Sequence, residues 1–199
     1  MRLYFITTLL LASALGMPLP INESLLLPNE EAIVEQIIVD TEVDVEVETG
    51  EPEYITVNLP QQENNSFKTY MDYRMITDTT SRQWAMQQEA YTDENGLRKI
   101  DDYYCVALGS GISDKLGKKF KVTLESGETF EVIMAEQKAD RHTDSTNRYI
   151  DRGNGSINIV EFIVETETMP SIVTVMGDVS HMPGNQFAGN IIAMEEIVE

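Results

Sequence analysis

Short apolar runs separated by turn-forming residues constrain this chain more than any other feature. "YYCVALGS", "KKFKVTL", "TFEVIMA", "INIVEFIVE" and "SIVTVM" follow one another between residues 103 and 176, each bounded by Gly, Asp, Ser or Pro. Runs of ~4–8 residues are strand-sized, and frequent glycine turns between them point to a small sheet-rich barrel or sandwich. "ESGE" reads as a hairpin turn between the second and third runs, and Asn95-Gly96 as another turn, since Asn-Gly reaches positive φ cheaply. Upstream, "FKTYMDYRMIT" alternates aromatic and polar residues. Asp78, Thr79, Thr80 or Ser81 then caps a short helix carrying Trp84. The tail from Gly177 offers a loop and one more strand.

Charge divides the chain. The net charge is −20, and between Glu23 and Glu63 there is no Lys or Arg at all. That balance excludes nucleic acid as a partner, because phosphate backbones bind through lysine and arginine. Residues 17–66 therefore read as an acidic, largely disordered linker, although "VDVEVE" within it alternates in the manner of an edge strand. Order is expected from Phe67, giving a domain over 67–199. Before the linker, Arg2 precedes "LYFITTLLLASALG", a positive residue, an apolar run and small residues. This is the pattern of a secretory signal over residues 1–16, with cleavage after Ala14 or Gly16. Export to a secreted or cell-wall-associated location follows, with no stable membrane span after cleavage. Cys105 is the only cysteine, so no intramolecular disulfide forms, and it is expected as a small buried hydrophobe.

The order of elements then resembles a known domain. Asp101-Asp102 lead into "YYCVALGSG", followed by "LGKKFKVTLESGETFEVIMAEQK", a polar loop and "GSINIVEFIVE". This resembles the three-aspartate domain, a double-psi β-barrel of bacterial cell-wall proteins and of membrane-bound lytic transglycosylases, over roughly residues 67–170. The resemblance implies a mainly β, six-stranded double-psi barrel-like domain with one short helix. It places the first acid of the pattern on Asp101 or Asp102, the second on Glu136 and the third on Glu161. Two of these three are glutamates here, and the loop from Glu136 to Glu161 is longer than the pattern's. The chain is also similar to proteins of Gram-positive bacteria and their phages that carry "G-D-I-K-A-D-x-H-T-D" and "V-E-F-I-V-D", where this chain has "MAEQKADRHTD" and "VEFIVE". That second resemblance carries no function with it.

The implied activity is cleavage of peptidoglycan glycan strands. Such chemistry needs a carboxylic acid to protonate the departing oxygen. Glu161 is the first candidate, because it interrupts a run so apolar that its carboxyl either faces out or is desolvated, and desolvation raises a carboxyl pKa. Glu136 is its companion if their strands are neighbours. Asp102, Lys138, Asp140, His142 and Asp144 are supporting candidates. Asp140, His142 and Asp144 form D-x-H-x-D, which on a strand would share one face, but a polar loop bonding its own backbone is the expected reading. No metal and no cofactor is assigned. The alternative function is a non-catalytic extracytoplasmic binding or structural module, and on either reading the partner is peptidoglycan or another cell-wall glycan and the protein a monomer.

Overall fold

The computed structural model describes residues 52–60 and 64–198, within a compact unit spanning Gly50–Glu199. The expected signal, and all of the expected linker except 52–60 and 64–66, lie outside the described residues. Described residues form a mainly β unit whose principal sheet is mixed.

Along one path the sheet runs β1 (Glu53–Thr56), β11 (Ile191–Val198), β6 (Lys119–Leu124), β7 (Thr129–Lys138), β5 (Tyr103–Gly109), β10 (Glu161–Val164), β2 (Thr69–Asp72). β5 also pairs with β4 (Arg98–Ile100), which pairs with β3 (Tyr91–Thr92). β5 lies parallel to β7 and β10 parallel to β2, whereas the other pairs are antiparallel. The hairpin expected at "ESGE" joins β6 to β7, with Gly127 at positive φ.

Alternation explains the core. Val106 and Leu108 of β5, Phe120 and Val122 of β6, Phe130, Val132 and Met134 of β7, and Phe162 of β10 all point to one buried cluster. Val57 and Leu59 beyond β1, and Tyr70 of β2, pack on the same cluster from opposite ends of the sheet. The sheet therefore curls around its core. Phe162 and Phe187 rings lie 4.8 Å apart at its centre, and each buried phenylalanine contributes ~1.5–3 kcal/mol relative to exposure. The opposite face of β5, β7 and β10 presents Cys105, Ile133, Ala135 and Ile163, which pack with Met86 of helix α1 (Arg82–Glu89). Ser81 caps α1, its Oγ accepting from the Trp84 N–H at 3.1 Å. Burial pushes the Cys105 thiol up to about 12, as suits an inert core residue.

Of the expected barrel the described residues have the mainly β, mixed sheet, and three further expectations are corrected. Among the described residues the sheet does not close into a barrel. Its ends are tied instead by side chains, as Asn65, just before β2, bonds the backbone of Ile191 in β11. "SIVTVM" is not a strand but a second helix, α2 (Ser171–Met176). Pro170 precedes it with a φ already suited to a helix start, Gly177 ends it in the left-handed region at φ 66, and only Val173 is buried. "INIVEFIVE" is broken in two. β9 (Ile157–Asn158) pairs with β8 (Ile150–Asp151) in a separate small sheet, and β10 starts only at Glu161. Finally, order begins before Phe67, because β1 lies inside the segment read as linker and pairs with β11. No described helix is long and apolar enough to cross a membrane.

Candidate functional site

Glu136 owes its position to a bulge. Phe130, Val132 and Met134 alternate into the core, so the next inward residue of β7 would be Glu136. Between β5 and β7, however, the register shifts: Val106 stands opposite Met134, and Ala107 opposite Glu136, leaving Ala135 as the extra residue. One inserted residue reverses the facing of everything after it. Glu136 is thereby turned out of the aromatic core and onto the face that α1 covers further along.

On that face Ala107 also stands opposite Glu161 of β10. Glu136, Ala107 and Glu161 thus form one row across three strands, with the methyl group of alanine between two carboxylates. Two strand spacings separate the glutamates, roughly 10 Å between Cα atoms. They are therefore not on neighbouring strands. Lys138 lies two residues beyond Glu136, on the same face and opposite Gly109. Its Nζ is 3.8 Å from Oε2 of Glu161, and its side chain is only 3% exposed against 21% for Glu161.

The electrostatics follow from burial. Desolvation, with the Glu161 charge adding to it and Lys138 opposing it, pushes the Glu136 carboxyl up to about 7. Burial pulls the Lys138 ammonium down to about 8, against the attraction of Glu161 and Glu136. Oε2 of Glu136 and Nζ of Lys138 are buried without a hydrogen-bond partner among the described residues. The desolvated acid is accordingly Glu136, whereas Glu161, expected in that role, keeps contact with solvent.

The supporting candidates disperse. Asp102 is exposed in the turn before β5, five residues or about 16 Å along the strand from Ala107. Asp140 accepts from Ser110 Oγ at 2.7 Å. His142 is exposed, its Nε2 accepting from Arg141 Nε at 3.2 Å. Asp144 organises its own loop: its carboxylate accepts from the backbone N–H groups of Thr146, Arg148 and Tyr149 and from the Thr146 hydroxyl. Although burial opposes it, these bonds bring the Asp144 carboxyl down to about 2. No metal-binding cluster of three or more His, Cys, Asp or Glu occurs among the described residues.

Sequence reasoning missed Ala107 and Gly109. The loop 143–149 lies directly on Gly109, where a Cβ would stand 2.0 Å from the Asn147 carbonyl oxygen. Small residues at alternate positions near a strand end, as in "VALG", were the available signal. Two cavities lie away from the Glu136 row. One of about 440 Å³ is lined by Thr56, Asn58, Gly111, Ile112, Arg148 and Glu196 among others. A smaller one of about 240 Å³ is lined by Tyr149, Asp151, Gly153, Gly155 and Ile157. Comparison with protein families, curated proteins and solved structures finds no match for this chain.

Proposed function

We propose that this protein is a non-catalytic extracytoplasmic module associated with cell-wall glycan, exported by its N-terminal segment. One observation carries the choice against catalysis. Burial raises the carboxyl of Glu136 to about 7, its Oε2 is buried without a partner among the described residues, and neither the cavity at Thr56 and Arg148 nor that at Tyr149 and Ile157 is lined by it. A general acid must come within hydrogen-bond reach of the oxygen it protonates. The group formed by the buried Lys138 and the half-buried Glu136 and Glu161 is then a structural charge cluster at the bulge. The glycan and the export step rest on the resemblance and on the N-terminal pattern. Within this proposal the curled sheet is an open variant of the double-psi topology, supported by its two parallel pairings, β5 with β7 and β2 with β10.

Incubating the full chain with purified peptidoglycan tests this. Co-sedimentation with the polymer and no soluble muropeptides are expected, for wild type and Glu136→Gln alike. Failure to co-sediment removes the glycan from the proposal.

A second reading is favoured by the raised pKa of Glu136 alone. In it Glu136 is the acid and Glu161 the second carboxyl of the row. Anhydro-muropeptides released by wild type and not by folded Glu136→Gln would establish that reading in place of the first.

A further inference from the structure

The cavity of about 440 Å³ adjoins a strand edge that no described strand covers, and its chemistry is legible. The Val57 N–H donates to the Met194 carbonyl at 2.8 Å, in register with the β1 and β11 pairing. Backbone groups alternate between the two sides of an antiparallel strand. Those of Glu53, Ile55 and Val57 therefore face β11, and those of Tyr54 and Thr56 face away from it. No described strand pairs with that outer side. The next outward carbonyl is that of Asn58, and it accepts from Arg148 Nη1 at 2.8 Å. Arg148 is held further by its Nε, which donates to Thr146 Oγ1 at 2.9 Å.

The guanidinium thus stands across the end of the edge, and its Nη2 has no partner among the described residues. Among the described residues it has no carboxylate partner. Glu196, on the cavity wall, is bonded to Lys118 and so is already neutralised locally. A cavity of about 440 Å³ around these groups falls in the size range of binding sites.

We infer that this edge binds an extended peptide with a free C-terminal carboxylate. The peptide adds as a strand parallel to β1, bonding the outward groups of Tyr54 and Thr56, and its carboxylate meets Arg148. Strand addition supplies affinity through the main chain, and an arginine fork selects the carboxylate. Charge argues for this occupant: in a chain of net charge −20, a guanidinium positioned without an acid is the complement of an external anion. The inference does not rest on the glycan reading.

Titration calorimetry of the full chain with acetyl-Val-Thr-Val-Thr-Ala, as free acid and as C-terminal amide, tests it. Saturable binding of the acid is expected, weakened about tenfold or more by amidation and equally by Arg148→Gln. Thr56→Pro should abolish binding and leave the thermal transition in place, because it removes an N–H that the sheet does not use. Should that variant unfold, a peptide N-methylated at alternate residues replaces it and should not bind wild type. No saturable binding of the acid, equal binding of the amide, or binding that survives loss of these main-chain donors overturns the inference. So does a wild-type dimer in sedimentation velocity that the peptide cannot dissociate, which would assign the edge to a second copy.

Discussion

Asn65 and Ile191 are paired as if both belonged to strands, yet one of the partners is a side chain. The Asn65 amide accepts from the Ile191 N–H at 2.6 Å and donates to its carbonyl at 2.9 Å. Its own backbone N–H donates to Asn190 Oδ1 at 2.9 Å. A buried amide therefore joins the two ends of the sheet, which backbone pairing does not bridge. Replacing it with alanine strands two backbone groups, each costing ~1–3 kcal/mol when buried and unpaired. Asn65→Ala should lose about 2–4 kcal/mol in urea unfolding. An unchanged midpoint would show that the ends of the sheet are held by other contacts.

Lys68 closes the same seam from the side of β2. It is fully buried, and its Nζ donates to the carbonyls of Ser66 at 2.9 Å and Gly189 at 2.8 Å. Lys68→Met keeps the length and removes both bonds, which should destabilise by about 2–4 kcal/mol. Burial lowers its pKa from 10.5 to about 8, against the pull of Asp178 and Glu125. A folded pKa below the unfolded one means that unfolding takes up protons between the two values. This lysine accordingly adds stability as pH rises from about 8 towards 10.5. Urea titrations across that window should show the rise in wild type and a flatter profile in Lys68→Met.

Glu136 gives the opposite dependence. Its pKa is raised from 4.5 to about 7, so its contribution is fully present below 4.5 and is lost as pH climbs through 7. Glutamine has the shape of the protonated acid and cannot ionise. Glu136→Gln should therefore match wild type near pH 5 and exceed it at pH 8 by about 1–3 kcal/mol. Parallel pH profiles for the two proteins would mean that the carboxyl is solvated in the folded state.

Gly109→Ala tests the loop that covers the end of β5. With a Cβ only 2.0 Å from the Asn147 oxygen, the loop must move away. A cost of about 1–3 kcal/mol is expected. Faster hydrogen exchange should appear at the Gly111 amide, which donates to Asn147 O at 2.9 Å. Exchange at Gly111 equal to that of wild type would show that the loop tolerates the methyl group.

Local chemistry in the sequence sufficed for strands β5, β6 and β7, the hairpin between the last two, and a cap for α1 within residues 78–81, of which the structure uses Ser81. Alternation, turn glycines and a capping hydroxyl act within a few residues of themselves. The buried character of Cys105 was legible for the same reason. "SIVTVM" was not, because its β-branched residues favour strands while Pro170 and Gly177 set the ends of a helix with only one side against the core. Nor was β1, whose acidic sequence reads as solvated until β11 offers it a partner. The bulge at Ala135 decided the most. A pattern of alternation would send Glu136 into the aromatic core, and only the register against β5 turns it out to meet Lys138 and Glu161. The residue types were thus written in the chain. Which of them face one another was decided by strand register and by the side chains joining the sheet's ends, because such contacts connect residues far apart in sequence and no short window contains both partners.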